Sequence, residues 1–198
     1  MPETKGYLIF ISGISGSGKT TVGKRLEALI ENVILIDQDN FFTRSKPFVK
    51  LSSGEPVINY DSELSIRWND LNDAIRINLE SHNVIVTGFA LRKNRIAFIP
   101  HYHFLLIRDI LVNGKHNTKT LEKFCYEDRQ LSKRFNGKES EKLIVPELLV
   151  PFYFETLTLL PGKVIIINTM VNNRQTYERM DISSLIGYIL KQLPNEIY

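Results

Sequence analysis

Gly13-Ile14-Ser15-Gly16-Ser17-Gly18-Lys19-Thr20-Thr21 fits the pattern G-x-x-x-x-G-K-[ST], and its flanks are the ones that pattern needs. Before it, Tyr7-Leu-Ile-Phe-Ile-Ser12 reads as a buried parallel strand; after it, Val22, Leu26, Leu29 and Ile30 recur at helical spacing. In a strand–loop–helix of this kind the glycines let the backbone curl until successive N–H groups point inward at phosphate oxygens. Lys19 adds a mobile charge that follows the β- and γ-phosphates. The Thr20 hydroxyl is placed to ligate Mg²⁺, and the helix N-terminus favours negative charge. A glycine-rich turn with a chance lysine would not need both flanks. The stretch therefore predicts binding of a nucleoside triphosphate with Mg²⁺.

Working outward, Val33-Ile-Leu-Ile36 is a short apolar run ending in the acidic Asp37-Gln38-Asp39, where a parallel strand would open onto the ligand crevice. Residues 43–60 carry Pro47, Gly54 and Pro56 with no sustained period, and read as a substrate-side segment. Leu64, Trp68, Leu71, Ile75 and Leu79 form one stripe, which predicts an amphipathic helix across 62–81. Val84-Ile-Val86, Phe104-Leu-Leu-Ile107 and Val164-Ile-Ile-Ile167 are further strand candidates, bringing the total to five. Residues 113–142 are rich in charge around a thin apolar stripe and read as a lid. The apolar 143–160 is interrupted by Pro146 and Pro151, so a broken or kinked helix is expected there. Ile182, Leu185, Ile186, Ile189 and Leu193 close the chain with a helical face. Strands alternating with helices predict a single three-layer α/β domain over 1–198, with a five-stranded parallel sheet and a helical lid.

Composition narrows the function. The 198 residues are 43% hydrophobic and 24% charged, with no apolar run approaching a membrane span. The start of the chain lacks the features of a signal peptide, so a cytoplasmic, intracellular protein is expected. A lone cysteine, Cys125, excludes an intramolecular disulfide and a cysteine-based zinc site, and reads as inert. A net charge of +3 suits polyanionic nucleotides and is too weak to argue for nucleic acid. His101 and His103 lack an obvious third ligand and read as structural. No Asn-Lys-x-Asp stretch reads guanine, and the chain is too small for a motor or a transporter ATPase. Phosphoryl transfer to a small acceptor remains, where positioning and charge stabilisation carry the chemistry.

Three further stretches carry a resemblance. Ile36-Asp-Gln-Asp-Asn-Phe-Phe42, Tyr60-Asp61 ahead of a helix and Gly88-Phe89 after a strand, taken with the glycine-rich loop, are similar to the nicotinamide riboside kinase and uridine kinase family. The likeness covers the first half of the chain and is loose after Ile107. It implies a P-loop kinase fold using ATP and Mg²⁺ on a small nucleoside, with Asp39 as the base that accepts the ribose 5′-hydroxyl proton and helps hold the metal, beside Thr20. It also implies that Tyr60 and Asp61 contact the nucleoside, nicotinamide riboside ahead of uridine or cytidine. Asp61 reads equally well as a helix N-cap; Phe41 and Phe42 read as base-stacking or as core. Arg129, Lys133 and Arg134 are the lid cations for the transferring phosphoryl group, or a solvated helix face. Asn168-Thr169-Met170 occupies the place of the family's adenine-side loop, which puts Thr169 at the nucleotide. One departure stands out: Thr87 replaces the family's acid before Gly-Phe, which opens a rival reading as a nucleotide-binding regulatory protein with little turnover. Asp37 would take over part of that role, holding a water of the Mg²⁺ shell, if the strand stays extended through Gln38, since residues two apart share a face; otherwise it reads as a solvated strand-end residue.

Overall fold

In the computed structural model, residues 6–108, 111–112, 115–130, 137–173 and 176–197 are described. The elements run β1 (Leu8–Gly13), α1 (Lys19–Glu27), β2 (Val33–Asp37), β3 (Phe48–Lys50), β4 (Pro56–Ile58), α2 (Trp68–Leu79), β5 (Asn83–Gly88) and β6 (Tyr102–Ile107). They continue with β7 (Leu111–Val112), β8 (Lys115–His116), α3 (Thr118–Arg129), α4 (Lys138–Ile144), α5 (Val150–Leu157), β9 (Val164–Asn168), β10 (Met170–Asn173), β11 (Thr176–Arg179) and α6 (Ile182–Leu190).

All five apolar runs expected as strands pair into one parallel sheet, in the order β2-β5-β1-β6-β9. The central strand β1 is buried along its whole length, which is why it shows no polar alternation. Alternate residues feed two cores. Ile9, Ile11, Phe104 and Leu106 pack with α1 and α6 on one face. Leu8, Phe10, Val84 and Val86 pack with Leu71, Ile75 and Leu79 of α2 on the other. The order places β1 between β5 and β6, so the loop after β1 opens at the carboxyl end of the sheet where crevices form.

Local expectations are corrected at four places. The helix expected across 62–81 begins only at Trp68, and Leu64 lies in a separate 3₁₀ turn with 70% of its surface exposed. Ser62 caps that turn by accepting from Leu64 N, and the Trp68 indole donates to Glu63 O at 2.8 Å, so side-chain capping wins over the apolar period. The segment 43–60 holds the hairpin β3–β4, whose Val57 packs with Leu51 and Ile144. A further hairpin, β10–β11, follows the last strand of the sheet where no strand is expected. Finally, α4 and α5 are joined by a π-helical segment, Val145–Leu149, so the chain passes both prolines as one helical run from Lys138 to Leu157.

A third core, built from Leu121 and Cys125 of α3 and Leu149, Val150 and Tyr153 further on, receives Ile14 from the loop after β1. The lid region is thereby fastened to that loop. Burial pushes the Cys125 thiol up to about 12, consistent with an unreactive core residue.

Candidate active site

The loop Gly13–Thr21 curls through two left-handed glycines, Gly16 at φ 76° and Gly18 at φ 91°. Gly18 starts α1 without a side-chain cap and the first turn holds no acid, so the leading N–H groups are left for an anion. Lys19 Nζ lies back across the loop and donates to Ile14 O at 2.8 Å. Ser15, Gly16, Gly18, Lys19, Thr20 and Thr21 line a cleft of about 340 Å³ together with Asp37, Asp39, Asp61, Gly88, Phe89, Asp128 and Arg179. Ile14 is buried below it, and so is Ser17, whose hydroxyl has no partner among the described residues.

Asp37 and Asp39 both line this cleft, but not as strand neighbours. The chain turns at Gln38 into a 3₁₀ helix capped by Asp37, whose Oδ1 accepts from Asp39 N at 3.1 Å. Its other oxygen, Oδ2, accepts from the Thr20 hydroxyl at 3.0 Å. Asp37 thus holds together the end of β2, the turn that presents Asp39, and the first turn of α1. Thr87 is its register partner on β5 and is fully buried; its hydroxyl has no partner among the described residues. Its methyl lies where a Cβ on Gly23 would go, so Thr87 is packed against α1 rather than turned to the cleft. Gln38 is a functional support that sequence reading missed. Its buried Oε1 accepts from Phe89 N at 2.8 Å and Ala90 N at 3.2 Å, fixing the Gly88-Phe89 turn against Asp39.

The cleft continues into a smaller cavity lined by Asp39, Phe42, Tyr60, Asp61, Ser62, Phe89 and Phe152. Phe42 and Tyr60 meet edge to face, 5.9 Å between centroids, while Phe41 packs into the α2 core. Phe41 thus follows the core reading, while Phe42 stands at the cavity wall. Asp61 is not a helix N-cap: Ser62 caps the next turn, and the buried Asp61 carboxylate accepts from Arg129 Nη1 at 3.0 Å.

Arg129, expected at the phosphates, points the other way. It is 1% exposed and clamps Asp61 on one side and Glu141 on the other, its Nε donating to Glu141 Oε2 at 2.6 Å. Burial alone would lower its pKa, but the two carboxylates outweigh burial and raise it. Lys133 and Arg134 lie outside the described residues. Arg179, at the end of β11, lines the cleft with Lys19, and Arg108 lies just past β6; both bond Asp128. No local pattern marks them. Thr169 is a fastener: its hydroxyl donates to Ile107 O at 3.0 Å, its N–H donates to the same oxygen, and it does not line the cleft.

His101 and His103 are structural, as expected. His101 Nδ1 accepts from Leu8 N at 2.9 Å. His103, fully buried, bridges Pro161 O and the Ser12 hydroxyl.

A parallel β2-β5-β1-β6-β9 sheet, a glycine-rich phosphate loop opening at its carboxyl end and helices closing over that loop make the fold that of a P-loop kinase. Comparison with known proteins agrees. The chain is 33% identical over 85 residues to nicotinamide riboside kinase 1 of Homo sapiens, covering 42% of each chain. It is 32% identical over 114 residues to the uridine kinase of Borreliella burgdorferi strain B31, covering 58% of this chain and 44% of that one. The alignments thus span less than half the length of these curated relatives. No protein-family model matches the sequence. Among solved structures, thymidylate kinase from Ehrlichia chaffeensis superposes with a TM-score of 0.51 at 17% identity, covering 96% of this chain and 99% of that one. A putative fructose transport system kinase from Silicibacter sp. TM1040 gives 0.53 at 12% identity, covering 84% and 92%. The tunicamycin resistance protein of Deinococcus radiodurans gives 0.52 at 14%, covering 95% of both. These likenesses are of fold. No helix among the described residues is long and apolar enough to cross a membrane.

Proposed function

We propose that the chain is an ATP-dependent kinase that phosphorylates the ribose 5′-hydroxyl of a ribonucleoside, with a nicotinamide riboside-like acceptor ahead of uridine or cytidine. One observation carries the reading: Asp39 lines both the cleft that holds Lys19 and Thr20 and the small aromatic cavity beside it, so it stands between a phosphate-binding loop and a recess walled by Phe42, Tyr60 and Phe152. The similarity of the chain to a nicotinamide riboside kinase and a uridine kinase supports the acceptor class.

In this reading the acceptor base lies against Phe42 and Tyr60, and Asp61, steadied by Arg129, accepts from sugar hydroxyls. Asp39 accepts the proton of the 5′-hydroxyl as its oxygen forms a bond to the γ-phosphorus, and the bond from that phosphorus to the ADP oxygen breaks. Lys19 leaves Ile14 O for the β- and γ-phosphates and offsets the charge that shifts between them. The Thr20 hydroxyl and the Asp37 and Asp39 carboxylates are hard oxygen donors, which fits Mg²⁺; the metal keeps several waters and needs few protein ligands. Bound there with ATP, it would supply charge neutralisation at the phosphates.

Thr87 favours a second reading, a nucleotide-binding regulatory protein with little turnover, because the usual acid is absent from β5. Coupled measurement of ADP release across a panel of nucleosides separates the two. Nucleoside-dependent ADP release that is greatest with nicotinamide riboside is expected; ATP binding without release for any nucleoside would favour the regulatory reading.

A further inference from the structure

On the nucleotide side of the cleft the lid helix presents an acid where cations are needed. Asp128, in the last turn of α3, leans over the P-loop so closely that a Cβ on Gly16 would clash with its Oδ2. Two guanidinium groups from distant parts of the chain hold this carboxylate: Arg108 bonds Oδ2, and Arg179 Nη2 donates to Oδ1 at 2.5 Å. Asp128 and Arg179 line the same cleft as Lys19 and Thr20. Arg108 is 4% exposed, its guanidinium carbon lies 4.6 Å from the centroid of Phe124, and its Nε has no hydrogen-bond partner among the described residues. An arginine held this rigidly, with a buried donor unused, is built for a ligand richer in acceptors than one carboxylate. Arg179 is 60% exposed and rides on a hairpin, so it can change partner with little repacking.

We propose that Arg108 and Arg179 bind the polyphosphate of the nucleotide, and that Asp128 is a latch that holds them over the P-loop until the polyphosphate displaces it. The inference rests on the nucleotide-binding reading of the P-loop. A phosphoryl group seated on the loop N–H groups would face the Asp128 carboxylate at close range, and like charges in so enclosed a site repel strongly. Transfer of the two arginine forks from carboxylate to phosphate removes that conflict and gains acceptors, since a guanidinium matches phosphate bidentately. Cations for the polyphosphate thus come from the end of β6 and from the β10–β11 hairpin.

The test is isothermal titration of ATP with Mg²⁺ into the wild type, Asp128→Asn, Arg179→Gln, the double variant and Lys19→Ala. Asp128→Asn should tighten ATP binding by roughly tenfold, because the competing anion is gone. Arg179→Gln should weaken binding, and should cost more in the Asp128→Asn background than in the wild type, because only a released Arg179 gives its full contribution. Weaker binding in Asp128→Asn, or an Arg179 effect equal in both backgrounds, would overturn the latch while leaving the P-loop reading intact if Lys19→Ala still loses affinity. Binding seen only once Asp128 is replaced would support a tight latch. No binding in the wild type or any variant would overturn the P-loop reading and the latch together.

Discussion

Asp37 and Thr87 sit opposite each other at the ends of two paired strands, and the acid stands on β2 rather than β5. Because Asp37 accepts from Thr20 and from the backbone of Asp39, its loss would disturb metal and base together, but through geometry rather than through the acceptor. Asp37→Asn is expected to raise the Mg²⁺ concentration for half-maximal activity by roughly tenfold to a hundredfold, the usual scale for a residue that orients a metal ligand, with acceptor KM nearly unchanged. An unaltered Mg²⁺ dependence would remove Asp37 from the site and leave Thr87 as an argument for a slow protein. Asp39→Asn keeps the shape and removes the basicity, so kcat should fall by about two to four orders of magnitude with a smaller change in ATP affinity. Wild-type kcat in that variant would take Asp39 out of the mechanism.

At the scale of elements, the lid region is tied to the acceptor side by buried charge. Arg129 of α3 lies between Asp61, on the segment after β4, and Glu141 of α4, and all three side chains are at most 4% exposed. Removing the cation leaves two carboxylates buried without it, so Arg129→Met should cost about 3–5 kcal/mol in urea unfolding. It should also raise acceptor KM, because Asp61 loses the group that orients it. A variant as stable as the wild type would show that the triad is solvated in solution. Glu147, in the π-helical segment, reaches the hairpin side through Ser52, accepting from its N–H at 2.9 Å and from its hydroxyl. The two prolines, Pro146 and Pro151, therefore stand on either side of the residue that carries this link.

For the molecule as a whole, the sheet carries a pH-sensitive group in its middle. Burial lowers the His103 pKa, only partly opposed by its hydrogen bond to Pro161 O, so the imidazole is neutral in the fold, with Nδ1 donating to that carbonyl and Nε2 accepting from Ser12. The unfolded chain takes up a proton at the ordinary histidine pKa and the native state does not. The stability this contributes is full above about pH 6.5 and is lost as pH falls below it. Urea midpoints are therefore expected to drop between about pH 7.5 and pH 5.5, and His103→Asn, less stable at the higher pH, should show a shallower drop. An equal slope in both proteins would assign the acid sensitivity to other groups.

Five strands, their chain order, the glycine loop and the acidic turn that follows the second strand were legible in the sequence, because each is a local pattern: a run of apolar residues, a spacing of glycines, a carboxylate at a strand end. The helix start at Trp68 was misread for the same reason, since a side-chain cap at Ser62 competes with periodicity over only a few residues. Strand order, the burial of Thr87 and the partners of every buried charge were decided by the tertiary structure alone. Asp61 meets Arg129 from 68 residues away, and Arg179 meets Asp128 from 51. A cation marks its own position in a sequence but not the anion it faces. Only the packing of α3 against the P-loop set Arg129 between Asp61 and Glu141 and brought Asp128, with Arg179, to the wall of the cleft.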